Sequence, residues 1–203
     1  MKLRNKNLKI LKSNHVYSEE MEHDACGVGL VASTEGLKSR KVVEYGIDAL
    51  KAVWHRGAID ADGKTGDGAG IHIEIPKDFF EEKIEVTGHK HDNSELCVGM
   101  IFLPRNDYSA QEQCRTIVES ELTKRNFSIY GWRQVPVDPS VLGEKAEQTR
   151  PEITQVLFTY NDKKVVNKSL EQKLYETRRV IEKEALNNQL NNFYICSFSS
   201  KSI

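Results

Sequence analysis

No stretch of this sequence approaches the roughly 20 consecutive apolar residues that a membrane-spanning helix needs. The basic start, residues 1–12, is followed by no apolar run of signal-peptide length before the acidic residues 18–24, so export is not indicated either. The four cysteines, Cys26, Cys97, Cys114 and Cys196, form no C-x-x-C pair. A 203-residue chain can build a core without disulfide staples, and a reducing, cytoplasmic setting fits best. An excess of one charge is also missing: 29 Lys and Arg face 30 Asp and Glu, for a net charge of -1. No global field would draw nucleic acid or a membrane surface, and neither is expected as a partner. Internal repeats and low-complexity tracts are absent, and one domain is the starting expectation.

What is present begins at Cys26. Residues 1–25 are polar and aperiodic and read as an appendage, whereas Cys26-Gly27-Val28-Gly29-Leu30-Val31-Ala32 is a small-residue, apolar run suited to a buried strand. Ser39 can cap a helix with its stripe at Val43, Ile47, Leu50 and Trp54, ending at His55-Arg56-Gly57. The four glycines of residues 60–70 demand a loop, after which Ile71, Ile73 and Ile75 alternate as a strand up to Pro76. Strands are expected over 96–103, about 127–135, 152–160 and 193–198. Helices are expected from Ser109, with Glu112 completing a capping box, and over about 169–186. Irregular alternation with hairpin candidates points to α+β rather than a doubly wound parallel sheet.

Three motifs invite chemistry and fail on spacing. Gly63-Lys64-Thr65 matches the tail of a phosphate-binding loop, but five residues rather than four separate Gly57 from Gly63 and the loop precedes a strand instead of a helix. Asp60, Asp62 and Asp67 suggest a calcium loop, yet Lys64 stands where an oxygen ligand belongs and Ile71 where the closing Glu should be. His89-x-His91 has no Cys or acidic partner at a metal-binding spacing and reads as part of a solvated loop. The Glu182-Lys183-Glu184 cluster reads as an exposed helix face. No metal ligands are assigned.

Cys26 stands apart because Gly27 and Gly29 strip bulk from the positions beside a polarisable thiol, letting another molecule or strand come close to the backbone. A small buried cysteine is the bland alternative, since free cysteines are commonly buried and inert. The context changes that balance. Cys26-Gly27-Val28-Gly29-Leu30, then His55-Arg56-Gly57-Ala58, then Ala61-Asp62-Gly63-Lys64-Thr65-Gly66-Asp67-Gly68-Ala69-Gly70-Ile71 resemble, in order, the start of the large subunit of glutamate synthases. The first two elements and Gly68-Ala69-Gly70-Ile71 are general to class II glutamine amidotransferases; the Asp-Gly-Lys-Thr-Gly-Asp-Gly portion resembles the glutamate synthases in particular. The likeness continues, less sharply, to residues 194–200.

The resemblance implies a four-layer αββα sandwich of the N-terminal nucleophile hydrolase type, incomplete in this chain. Residues 1–25 become a propeptide cleaved after Ala25, and residues 26–203 the front part of a glutaminase domain. Cys26 becomes the nucleophile that hydrolyses L-glutamine to glutamate and ammonia, with Arg56 near it as an ordering residue and His55 structural. The chemistry is coherent: a thiol with a pKa near 8.5 and an α-amine at about 7.7–8.0 on one residue form a nucleophile and its own base near neutrality. Inside an uncut chain that nitrogen is an amide and cannot serve. An Asn-Gly oxyanion pair and a His-Asn-Gly-Glu signature belong to the family beyond the segment resembling residues 194–200 and do not occur here. The chain therefore reads as a fragment expected to be inactive alone. FMN and an iron-sulfur cluster are implied in other domains that pass the ammonia to 2-oxoglutarate, together with a small electron-donating subunit. The competing readings are another class II amidotransferase, or a non-catalytic interaction domain with Cys26 merely buried.

Overall fold

The computed structural model describes residues 27–53, 59–66, 68–91, 94–162 and 168–203, together with Lys6, Lys9, Ile10 and Ser13, whose backbone is helical. By contacts the chain divides into two units, Met1–Ala58 and Ile59–Ile203.

In the first unit, α1 spans Arg40–Ala52 and starts where expected: the Ser39 hydroxyl accepts from the Lys41 N–H at 3.2 Å, satisfying an otherwise unpaired first-turn donor. The helix ends at Val53 rather than at Gly57; residues 54–58 lie outside the described residues. None of its residues is fully buried. The run 27–33 differs from expectation. It forms no strand, and Val28 and Leu30 are 91% and 92% exposed. A strand buried on both faces needs neighbours that supply ladder bonds and apolar cover, and among the described residues Gly27–Ala32 have neither.

The second unit is built on a four-stranded antiparallel sheet of order β2-β3-β1-β4, formed by β1 (Leu96–Leu103), β2 (Phe127–Gln134), β3 (Glu152–Tyr160) and β4 (Tyr194–Ser199). The continuous apolar run of β1 fits its central place, with Leu96 opposite Thr159 and Leu103 opposite Glu152 on one side, and Val98 opposite Ser199 on the other. Gly99 sits where a Cβ would come within 2.8 Å of both the Phe198 ring and Val156, so only glycine lets the strands close here. β2 slips register between Ile129 and Gly131, and Gly131 takes a φ of 149°, a conformation open to glycine.

Alternate β1 side chains face opposite layers. Cys97, Ile101 and Leu103 join Val156, Phe158, Phe127, Ile195 and Phe198 beneath α3 (Tyr108–Lys124) and α5 (Lys168–Asn187), which contribute Cys114, Val118 and Leu122, and Leu170, Leu174 and Ile181. The Phe158 ring lies 5.5 Å from that of Phe127 and 4.8 Å from that of Phe198. On the other face Leu96, Val98, Tyr130 and Leu157 meet Ile75, Phe80 and Ile84, the last two from α2 (Lys77–Val86). Sequence periodicity missed α2, whose helical signature is one i, i+4 pair. Pro76 before it and Gly88 after it, with a φ of 82°, were the available signals.

Two further differences have local causes. α3 is capped by Asp107, which accepts from Ala110 N–H at 2.9 Å, so Ser109 falls inside the first turn and Glu112 pairs with Arg115 instead of closing a capping box. The alternating Ile71, Ile73 and Ile75 make only a short ladder with the chain end. Ile73 and Ile203 exchange two bonds of 2.9 Å, and Ile75 N–H reaches Lys201 C=O at 3.0 Å. The class is α+β. Among the described residues one helical layer and one incomplete sheet are present, with α2 on the second face.

Candidate functional site

The second unit opens with a compact loop. Ile59 and Gly66 form an antiparallel bridge at its base, Asp60 N–H donates to Thr65 C=O at 2.7 Å, and Gly63 turns the chain with a φ of 69°. Inside it, Asp62 Oδ1 accepts from Lys64 N–H at 2.9 Å and Thr65 N–H at 2.7 Å, while Thr65 Oγ1 donates to Asp62 Oδ2 at 2.5 Å. These bonds, the hydroxyl's foremost, hold the Asp62 carboxyl down at about 2, with the Glu144 backbone adding to the effect. Both oxygens are thus engaged within the protein. The segment leads into the short Ile73–Ile75 ladder rather than directly into a helix, unlike a phosphate-binding loop, and the Asp62 oxygens are turned onto Lys64 and Thr65. Among the described residues no group of three or more His, Cys, Asp or Glu is arranged to hold a metal.

His91 also departs from the solvated loop expected. Its side chain is 8% exposed, with Nδ1 3.3 Å from the Glu81 carboxylate of α2, and its ring meets Tyr130 edge-on at 5.8 Å. His89 pairs through Nδ1 with Thr87 Oγ1 at 3.1 Å. Residue 81 was invisible as a partner in sequence because α2 itself was not read. Glu182 is likewise more engaged than an open charged face, accepting from Arg178 and Arg179.

The thiols fall into distinct settings. Cys97 is fully buried under α5, and burial foremost, then the Glu171 and Glu95 carboxylates, push its thiol far above the ordinary range. Burial also raises Cys114 to about 11. Neither can present a thiolate near neutral pH, and thiolate is the reactive form. Cys196 is exposed on β4. Cys26, Arg56 and Ala25, the residues singled out by the sequence, lie outside the described residues, as do His55 and Asp67. Next to Cys26 the described chain is open: around Gly29 a Cβ would meet nothing within 4 Å.

Against known proteins, residues 26–203 match the family described as glutamine amidotransferases class-II. The chain belongs to the class-II glutamine amidotransferases. The match to this family begins at Cys26 itself. Over 197 residues, 97% of the chain, the sequence is 53% identical to the glutamate synthase [NADPH] large chain of Azospirillum brasilense. It is 36% identical over 199 residues to the ferredoxin-dependent glutamate synthase of Pyropia yezoensis, covering 96% of the chain. With ferredoxin-dependent glutamate synthase 2 of Synechocystis it shares 37% identity over 183 residues, 90% of the chain. This class-II amidotransferase chain spans 13% of the length of the first two relatives and 11% of the third. Among its described residues no helix is long and apolar enough to cross a membrane.

Proposed function

We propose that this chain is the glutaminase region of a glutamate synthase, with Cys26 as its nucleophile. The observation that carries the reading is that the class-II match opens at Cys26, the only cysteine followed by Gly-x-Gly. Burial of Cys97 and Cys114 supports it by removing two of the three competing thiols.

Removal of residues 1–25 after Ala25 converts the Cys26 amide nitrogen into an amine of suitable basicity. That amine takes the thiol proton as sulfur attacks the side-chain carbonyl carbon of L-glutamine. Collapse of the tetrahedral adduct breaks the C–N bond; the proton goes to the leaving nitrogen, and ammonia departs from a γ-glutamyl thioester. Water then attacks the thioester carbonyl, glutamate leaves, and the proton returns to sulfur. Arg56 orders the nucleophile and its substrate. Oxyanion donors come from residues outside this chain, so the 203-residue chain alone turns over glutamine little or not at all.

In the longer protein the ammonia serves conversion of 2-oxoglutarate to a second glutamate in domains holding FMN and an iron-sulfur cluster, with electrons supplied by a small partner subunit. Among the described residues no cysteine set suits the cluster: Cys97 and Cys114 are sealed in the core, and the sequence has no C-x-x-C pair. The unpaired Cys97, Cys114 and Cys196 suit a reducing compartment and support a cytoplasmic reading. The test uses the full-length protein. Cys26→Ala should abolish glutamine-dependent synthesis and leave ammonia-dependent synthesis intact. Retained glutamine hydrolysis in that variant, or full activity with residues 1–25 attached, would refute the assignment.

A further inference from the structure

We infer that the 59–66 loop is a strap that caps a helix distant in sequence, so that loop and helix close and open as one unit. The helix is α4 (Glu144–Thr149), whose N-cap is Gly143, a residue with no side chain to offer the first-turn N–H groups. The loop supplies the missing partners from 81 positions away. Thr65 Oγ1 accepts from Ala146 N–H at 3.5 Å, the third residue of the helix, where a Ser or Thr hydroxyl bonds when a helix caps itself. The Glu144 backbone bonds to the Asp62 carboxylate, and a negative group is the favoured charge at that end of a helix.

Gly143 shows that this exchange of partners is built into the packing. It is buried and sits at an ordinary φ of -75°, so no backbone strain demands glycine there. A Cβ at 143 would run into Thr65 Oγ1, Asp62 Oδ2 and the Thr65 backbone nitrogen, and the last of these cannot swing aside. The space in which a capping side chain would stand is thus filled by the loop's own capping groups. The loop can hold them there because it is closed on itself, by the Ile59–Gly66 bridge, the bond from Asp60 N–H to Thr65 C=O, and the bonds of Asp62 to Lys64 and Thr65. Lys145 Nζ adds a contact of 2.6 Å to Asp60 Oδ2, an exposed pair of the kind that contributes little. On its other side α4 is tied to the chain just past β1, where Glu147 accepts from Arg105, a contact that does not involve the loop. The Asp-Gly-Lys-Thr stretch, whose oxygens are spent inside the protein, thereby acquires a role as the cap of a helix that has none.

The test is amide exchange in the full-length protein, read separately over 59–66, 143–149 and β1. Asp62→Ala should speed exchange of 143–149 about tenfold, the effect of losing an N-cap, although no residue of that helix is altered. β1 should stay protected. Gly143→Ser separates a cap supplied by the loop from mere contact. In a helix that caps itself, serine at this position is at least as good as glycine. Here it should push the loop away and speed exchange of 59–66 about tenfold, while its own hydroxyl keeps 143–149 within about threefold of the parent. Added to Asp62→Ala, Gly143→Ser should return 143–149 to within about threefold of the parent and leave 59–66 open. Lys145→Ala should change either segment by no more than about twofold. An Asp62→Ala protein whose 143–149 segment exchanges at the parent's rate would overturn the inference, and so would a Gly143→Ser protein whose loop stays protected. Loss of β1 protection together with the helix would overturn it as well, because the opening would then belong to the whole sheet and not to one unit of loop and helix.

Discussion

Cys97 and Cys114 sit in the apolar cluster beneath the helices, and the two thiols are buried and suppressed. Along Gly27–Leu30 the opposite holds: Val28 and Leu30 stand in solvent and no atom crowds Gly29. The same residue type is thus inert in one region, while in the other its flanking positions are open to a reacting molecule. Burial raises the cost of a thiolate, so cysteines kept under helices stay out of reach of chemistry that needs a reactive sulfur.

The comparison breaks most visibly if the core is opened. Phe158→Ala removes a ring in contact with Phe127 and Phe198 and should cost about 3–5 kcal/mol, read from urea midpoints. The Cys97 thiol should then react with a disulfide reagent under conditions where the parent's does not. The glycines offer a sharper, smaller contrast. Gly99→Ala forces a methyl into the Phe198 ring and Val156 and should destabilise by about 1–3 kcal/mol. Gly29→Ala, with open space around it, should stay within about 0.5 kcal/mol of the parent.

Smaller still is the acid response of the exposed network joining α4 to its neighbours. The Asp62 carboxyl is held at about 2 and so is Glu147, the latter by hydrogen bonds from Arg150 and then Arg105. Both are depressed carboxylates, so their contribution is complete above the ordinary carboxylate range and fades as pH falls from about 4.5 through about 2. Carboxyl chemical shifts followed by NMR should give both groups midpoints near 2. A midpoint for Glu147 close to 4.5 would mean that the arginine contacts do not persist in solution.

What could be read from sequence follows the physics of each element. β1 and β3 were legible to the residue, β1 because a continuous apolar run between polar flanks has one stable place, the middle of a sheet, and β3 through its β-branched and aromatic residues. α1 was found through Ser39, a cap acting on its own helix. α2 carried too few apolar positions to show a period, and α3 began at Asp107 because an adjacent carboxylate outcompeted the Ser109 box. The site divides in the same way. Cys26 and Arg56 are singled out only by local motifs that resemble a family and lie outside the described residues, whereas the partnership of Asp60 with Lys145 spans 85 positions and leaves no local trace. The short helix Glu144–Thr149, read from sequence only as a connection, carries Lys145, the other half of that partnership.

The central claim is that one thiol, carried on a free terminal amine, does the chemistry. Its most direct test is to expose the mature full-length protein to a diazo-ketone analogue of glutamine and map both the label and the N-terminus by mass spectrometry. The account predicts a chain beginning at Cys26 with the label on that residue alone. A label on Cys97, Cys114 or Cys196, or full labelling of a chain that still carries residues 1–25, would contradict it.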